Sequence, residues 1–106
     1  LKPTDAESFA SRGEARRHKE DYDGALSDFN AALKLRPQVA WVLARRGDTK
    51  RMKDDLDGAM RDLDASLSSE PNDAYALSRR GALKWEKDDF DGALRDSEAS
   101  LKLDPK

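Results

Sequence analysis

Large apolar residues recur along the chain at the spacing of a helix. Two stretches carry the same stripe, at positions i, i+3 and i+7: Leu26, Phe29 and Leu33, then Met60, Leu63 and Leu67. Residues at that spacing lie on one face of an α-helix, whereas a half-buried strand would alternate apolar and polar residues. No alternating run flanks the Asp-Gly pairs that could otherwise signal a β-hairpin. The pattern therefore predicts amphipathic helices.

The helical pattern returns every 34 residues. Four columns keep this step: Pro3, Pro37, Pro71 and Pro105; Gly13, Gly47 and Gly81; Gly24, Gly58 and Gly92; Ala25, Ala59 and Ala93. A fixed period of this length indicates stacked helical hairpins. Because proline cannot continue a helix, each proline ends a unit, and we predict units at 6–39, 40–73 and 74–106. The first helix of each unit, helix A, is predicted at 6–19, 40–53 and 74–87, and the second, helix B, at 22–35, 56–69 and 90–103. The glycines are expected to let helix backbones approach closely.

A charged segment with two aspartates joins the helices of each unit. The first aspartate, Asp21, Asp55 or Asp89, directly precedes helix B, where its carboxylate can accept hydrogen bonds from free amides. The second aspartate follows two residues later, in the first turn of helix B, where the helix dipole favours a negative charge. Calcium binding is the alternative, but the clusters lack the ligand spacing of an EF-hand loop. We therefore predict helix caps.

When the three units are aligned, the segments SRGEA, RRGDT and RRGAL occupy the same positions in successive units. The longer segments YDGALSDFNAAL, LDGAMRDLDASL and FDGALRDSEASL also align. This pattern resembles the tetratricopeptide repeat family over all 106 residues. The resemblance implies an all-α solenoid of three antiparallel helix-turn-helix repeats in a right-handed superhelix, forming a single domain over 1–106. Residues 1–5 look like the tail of a preceding repeat and a linker, so we expect a fragment of a longer array.

Two columns of opposite charge are complete in all three units: Arg12, Arg46 and Arg80 in helix A, with Asp28, Asp62 and Asp96 in helix B. They predict an ion pair between the two helices of each unit, since the arginine fork suits partly buried, bidentate geometry. Four residues after each arginine stand Arg16, Lys50 and Lys84, where the family usually has an aromatic residue. We expect their stems to cover apolar surface and their charges to reach water.

The resemblance also implies a concave groove lined by helix A. We predict that eight groove residues bind a ligand: Glu14, Trp41, Arg45, Asp48, Arg51, Tyr75, Arg79 and Trp85. Aromatic and arginine side chains dominate binding hot spots, which predicts a peptide with an acidic group near the arginines and a basic group near Glu14 and Asp48. In the alternative reading, the aromatics pack between neighbouring repeats with arginines stacked on them. Both readings stay open for Trp85.

Chaperone-binding members of the family carry a clamp of lysines and asparagines for an acidic C-terminus. Here Ala10 and Glu14 occupy the first-repeat clamp positions, Arg45 an asparagine position and Tyr75 a lysine position. Only Arg79 keeps a basic clamp residue, which argues against that binding mode.

Composition narrows the function classes. Hydrophobic residues make up 37% of the chain and charged residues 40%, with a net charge of −2, so nothing favours nucleic acid. There is no cysteine and one histidine, His18, without a catalytic partner. No nucleophile–base pair, cofactor site, metal set, signal or membrane segment is evident, so we expect neither an enzyme nor a membrane protein, and the cytoplasm is favoured.

Two functions therefore remain. The first is an interaction scaffold that binds a peptide or partner segment in the groove, as the resemblance implies. The second is a structural array that self-associates weakly, head to tail, because the faces at its two ends are complementary.

Overall fold

The computed structural model describes residues 5–105 and shows six helices within them. They are α1 (Ala6–His18), α2 (Tyr22–Leu35), α3 (Ala40–Met52), α4 (Leu56–Ser69), α5 (Ala74–Glu86) and α6 (Phe90–Leu103). The three B helices begin and end where the sequence predicts, and each A helix ends one residue earlier. The proposed tail of a preceding repeat lies, apart from Asp5, outside the described residues, as do Pro3 and Lys106.

Each A helix ends early because the chain turns through a left-handed residue. Glu20, Asp54 and Asp88 have φ of 63°, 70° and 64°. After α1, the amides of Glu20 and Asp21 donate to the carbonyls of Arg17 and Arg16 at 2.9 and 2.8 Å. These two bonds form a Schellman motif, which satisfies carbonyls at the helix end. The turn is therefore followed directly by the aspartate that caps helix B.

The B helices start at the predicted aspartate caps. The carboxylates of Asp21, Asp55 and Asp89 each accept a hydrogen bond of 3.0 Å from a glycine amide three residues later. A side chain on Gly58 would collide with the Asp55 carboxylate. The expectation that this glycine column lets helices approach is therefore wrong, since these glycines make room for the cap.

The other glycine column does permit close helix packing. A Cβ on Gly47 would lie 3.0 Å from Leu63 Cγ and 3.2 Å from the Ala59 carbonyl oxygen of the partner helix. The stripe residues Phe29 and Leu63 opposite this column are fully buried. In the first two units, a glycine on helix A thus packs directly against a large apolar residue on helix B.

The hairpins stack in chain order into an α-solenoid. Helix α3 packs on α2 and α5 on α4, and neighbouring A helices also contact one another, while within 5–105 no contact joins α2 to α4 or α4 to α6. The A helices therefore form the inner row of a curved stack. Two apolar clusters fill it, one around Phe29, Leu33 and Leu43 and one around Leu63, Leu67, Leu77 and Leu83.

Candidate functional site

The predicted ion pairs join the helices of all three units. Arg12 donates to Asp28 at 2.8 and 2.9 Å, Arg46 to Asp62 at 2.8 and 2.8 Å, and Arg80 to Asp96 at 2.8 and 3.0 Å. Each pair is bidentate, and each aspartate is buried. This confirms the predicted pairing and gives the two columns a structural role.

A second cation reaches each of these aspartates. Arg16 lies 3.0 Å from Asp28, Lys50 lies 3.1 Å from Asp62, and Lys84 lies 3.0 Å from Asp96. The sequence did not predict this second contact, and the side chains of Arg16, Lys50 and Lys84 stay 39%, 21% and 19% exposed. A carboxylate removed from water needs more than one donor for its lone pairs, and the residue four positions after the arginine lies on the same helix face.

The ionisation of Asp96 reflects this arrangement. Burial by itself would raise the pKa of Asp96, but hydrogen bonds from Arg80 and Lys84 outweigh it and leave the pKa below its ordinary value. The hydrogen bond to Asp96 likewise raises the pKa of Arg80 despite burial. Both groups are therefore charged at neutral pH.

A separate set of charges lies on the inner row of helices, on a surface that we call the inner face. It consists of eight residues from α1, α3 and α5: Glu14, Arg17, Arg45, Asp48, Arg51, Tyr75, Arg79 and Glu86. Buried Asp48 is its centre. One oxygen accepts from Arg51 at 3.0 and 3.1 Å, and the other from Arg17 at 3.3 Å and from the Tyr75 hydroxyl at 3.3 Å.

Two arginines of the inner face are fully engaged by acids. Arg17 donates to both oxygens of Glu14 at 3.0 Å, and Arg51 donates to Glu86 as well as to Asp48. Burial would raise the pKa of Glu14, but the hydrogen bond from Arg17 and the nearby positive charges lower it overall. The acids predicted to meet a basic ligand group, Glu14 and Asp48, are thus occupied by the protein's own arginines.

The other two arginines stack on Tyr75. The guanidinium carbon of Arg45 lies 3.7 Å from the ring centroid of Tyr75, and that of Arg79 lies 5.0 Å from it. Arg45 Nε comes within 3.2 Å of a Glu14 oxygen without hydrogen-bond alignment, and Arg79 Nε is 3.9 Å from Asp48. Both Nε atoms are buried without a hydrogen-bond partner in residues 5–105. Burial and the Asp48 charge raise the pKa of Tyr75, so the ring stays neutral.

The two tryptophans of the predicted site lie elsewhere. Trp41 is partly exposed and lines a small cavity of about 90 Å³ together with Ala6 and Ala10 of the first hairpin and with its own neighbour Val42. Trp85 packs edge-on against Phe90, with ring centroids 5.0 Å apart. The structure thus brings together Glu14, Arg45, Asp48, Arg51, Tyr75 and Arg79, but it does not bring Trp41 or Trp85 to the stacked arginines.

Arg17 and Glu86 belong to the inner face although the sequence-based site omits them. A signal for Arg17 was present: Glu14 with Arg17 and Asp48 with Arg51 are the same acid–arginine pair, three residues apart and one period apart in the chain. The resemblance places Glu86, like Arg17, among the groove positions of helix A, but no such pair marks Glu86, since it meets Arg51 only through the stacking of α3 and α5.

Two features are absent from residues 5–105. That part of the chain has no group of three or more acidic or histidine side chains placed to hold a metal ion. None of its helices combines the length and the apolar character needed to cross a membrane.

Comparison with known proteins identifies the fold. Residues 6–39 match the sequence model of the tetratricopeptide repeat. Among solved structures, the first tetratricopeptide domain of Spaghetti (RPAP3), bound to the HSP90 peptide SRMEEVD, is similar with a TM-score of 0.90 and 20% identity, over 100% of this chain and 84% of that one. The Arabidopsis OM64 domain gives 0.90 and 21%, over 95% and 84%. MamA from Desulfovibrio magneticus RS-1 gives 0.86 and 25%, over 97% and 58%. No curated protein matches the chain.

Proposed function

Since this chain is built from tetratricopeptide repeats, the fold of a protein-interaction scaffold, we propose that its inner face binds a segment of a partner protein through an acidic group. The segment is a peptide or helix that lies along α3 and α5. Its acidic group is held by Arg45 and Arg79, and Tyr75 between them supplies a rigid platform. We propose no catalytic role.

The observation that carries this proposal is the unequal use of the four inner-face arginines. Arg17 and Arg51 already hold carboxylates of the protein in hydrogen bonds. Arg45 and Arg79 instead stack on Tyr75, and their contacts with Glu14 and Asp48, at 3.2 and 3.9 Å, are ion pairs without hydrogen-bond alignment. The Arg45 and Arg79 side chains are 26% and 40% exposed, so a ligand carboxylate can reach them, and guanidinium–carboxylate pairs are among the stronger hydrogen bonds.

Tyr75 fixes where the acidic group would bind. The two guanidinium groups contact the same ring, one from its own helix and one from the preceding unit, so their positions are set by the stacking of α3 on α5. A site held by two packed helices is precise, because neither arginine needs to be ordered when the ligand arrives. Trp41, one turn before Arg45, adds an apolar contact toward the first unit. Trp85 would extend the segment's contacts only at the far end of α5.

A structural relative supports the ligand class. The Spaghetti (RPAP3) domain has this fold and is bound to a peptide with three acidic residues, SRMEEVD. The present chain keeps few of the clamp residues of chaperone-binding members, so we propose a different grip on an acidic segment, centred on the arginine–tyrosine stack.

Selection from a random peptide library tests the proposal. Peptides that bind the wild-type chain should be enriched in Asp and Glu, and replacing the selected acid by its amide should weaken binding by about tenfold or more, since charged hydrogen bonds contribute about 1.5–3 kcal/mol. The double variant Arg45→Gln/Arg79→Gln should lose the enrichment. Binding should also weaken as salt rises.

Arg61→Gln is the matched control, because Arg61 is an exposed arginine on the outer helix α4. It should bind the selected peptides like the wild type. If the double variant retained full affinity, or if selection returned peptides without acidic enrichment, the proposed site would be wrong.

A further inference from the structure

The small cavity beside Trp41 lies between the first two units of the stack. Its volume is about 90 Å³, and its lining includes Ala10, Ala32 and Val42, whose exposed fractions are 2% or less. Glu7 and Trp41 also line the cavity, and both are exposed. The cavity therefore combines an apolar floor with a mouth at the surface that a ligand can reach.

This cavity is continuous with the inner face. Trp41 precedes Arg45 by four residues on α3, and Ala10 precedes Glu14 by four residues on α1. Residues four positions apart lie on the same face of a helix. The mouth of the cavity and the stacked arginines therefore lie on one side of the molecule, about one helical turn apart along α3.

The residues that leave this space open belong to the first junction between units. At the second junction, Ser66 stands in the place of Ala32, and Trp41 itself stands in the place of Glu7. The Ser66 hydroxyl donates to the carbonyl oxygen of Ala40 at 2.8 Å, whereas Ala32 has no hydroxyl for the corresponding bond. Two lining positions thus differ between the junctions, so the cavity depends on particular residues and not on the repeat pattern alone.

The size and lining of the cavity favour one aliphatic side chain. An apolar cavity of about 150 Å³ can hold a benzene ring, so a cavity of about 90 Å³ is too small for the side chain of a phenylalanine. The side chains of its floor are those of alanine and valine, and apolar surface removed from water is the main favourable contribution to packing against them. Valine, leucine or isoleucine therefore fits the space best.

We propose that the cavity binds one aliphatic side chain of the same acidic segment that Arg45 and Arg79 hold. The inference rests on the proposed function, because the acidic group determines where the segment lies. Trp41 is the shared wall: its indole lines the cavity and stands one turn before Arg45. The partner segment therefore has an aliphatic residue at a fixed spacing from its acid.

The geometry of the stack gives that spacing. Four residues of α3 separate Trp41 from Arg45, which is about 6 Å along the helix. The cavity lies between α1 and α3 and the stacked arginines lie between α3 and α5, so the two are also one helix spacing apart, about 8–10 Å. About three or four residues of an extended chain span this distance. We therefore expect Val, Leu or Ile three or four positions from Asp or Glu.

A peptide series made from the library selection tests this subsite. Among selected peptides that contain the enriched acid, Val, Leu or Ile should be enriched three or four positions from it. Replacing that residue by Ala should weaken binding about tenfold or more, because each buried methylene contributes about a factor of four in affinity. Replacing it by Phe should also weaken binding, because the ring is larger than the cavity.

Substitutions in the protein link this preference to the cavity. Ala32→Val fills the space, so it should bind the leucine and alanine peptides about equally while the effect of the acid-to-amide change stays the same. Ala65→Val adds the same two methyl groups at an exposed position of α4 and should keep the tenfold ratio. Ala32→Ser is a second variant that the fold accommodates, because the other units carry Ser66 and Ser100 at this position. It should reduce the ratio, and circular dichroism verifies that each variant folds.

The outcomes separate this inference from the proposed function. Acidic enrichment without an aliphatic residue at the stated spacing would overturn the inference alone. A leucine-to-alanine ratio that stays intact in folded Ala32→Val and Ala32→Ser would do the same, since the cavity would then be a packing void that the ligand does not enter. Selected peptides without acidic enrichment would overturn both proposals.

Discussion

The Arg46–Asp62 pair offers a direct measurement of what the charged columns contribute. Asp62 is buried, with 7% of its side chain exposed, and accepts two hydrogen bonds from Arg46, whose side chain is 21% exposed. Lys50 supplies a third contact at 3.1 Å. Arg46→Ala removes the two shorter contacts and leaves the carboxylate with the lysine alone.

The expected magnitude follows from these contacts. Removing one partner of a fully buried ion pair costs about 3–5 kcal/mol, because an uncompensated charge remains. Lys50 stays beside Asp62 and Arg46 is one-fifth exposed, so we expect about 2–3 kcal/mol for each single variant. The double variant Arg46→Ala/Asp62→Ala leaves no unpaired acid. It should therefore be more stable than the sum of the single effects predicts, by a coupling energy of about 1–2 kcal/mol.

Urea unfolding followed by circular dichroism measures these values, since a shift of the midpoint at constant slope reports a change in stability. Arg61→Ala, an exposed arginine on the same helix as Asp62, is the control and should stay within about 0.5 kcal/mol of the wild type. A parallel cycle on Arg12 and Asp28 should give a smaller coupling energy, because the Arg12 side chain is 48% exposed. Additive effects at Arg46 and Asp62 would refute a coupled pair.

Three further changes probe packing and protonation. Leu67→Ala should destabilise the fold by about 2–5 kcal/mol, whereas its exposed counterpart Leu101→Ala, measured on dilute protein, should cost far less; equal urea midpoints would contradict the assigned core. Gly47→Ala should cost about 1–3 kcal/mol by forcing α3 away from α4, while Gly81→Ala, whose Cβ would lie 3.1 Å from a serine hydroxyl that can rotate, should be tolerated; the reverse order in thermal melts would refute this. Burial raises the pKa of Asp96 but its hydrogen bonds to two cations lower it below the ordinary 3.8, so its stabilising effect is complete above that value and is lost as pH falls through the folded-state pKa. Asp96→Asn should therefore flatten the loss of stability at acid pH, and an unchanged pH profile would contradict the assignment.

The sequence predicts the helices well because local rules decide them. The aspartate caps, the prolines and the apolar stripes each act within a few residues, and the B helices begin where Asp21, Asp55 and Asp89 place them. The A helices end one residue early because a left-handed residue follows each one, and that conformation belongs to Glu20 and its counterparts rather than to a glycine. Positive φ is uncommon outside glycine, although aspartate adopts it more readily than most residues, so these positions carry only a weak signal in the sequence.

The charges were harder to predict because their partners lie on other helices. The Arg–Asp columns were found since both are complete in every unit. The contact of Lys50 with Asp62 was not predicted, because a lysine next to apolar residues is equally compatible with exposure to water and with a buried partner. The inner face shows the same limit: the stacking of Arg45 and Arg79 on Tyr75 depends on how α5 rests on α3. The placement of the predicted binding residues as a ligand site stays a prediction.

The pairing of each buried aspartate with cations of its own unit has a consequence for how such a chain can change in length. The acid and its two cations lie within 34 residues and recur at the same positions in every unit. Excision or duplication of any 34-residue segment, wherever the cut falls, leaves every remaining aspartate of this column with two cations at the positions they need. The gene can therefore gain or lose whole units by recombination without leaving an aspartate of this column unpaired. The cations that hold each buried aspartate are built into the module, so a change in array length leaves this acid compensated.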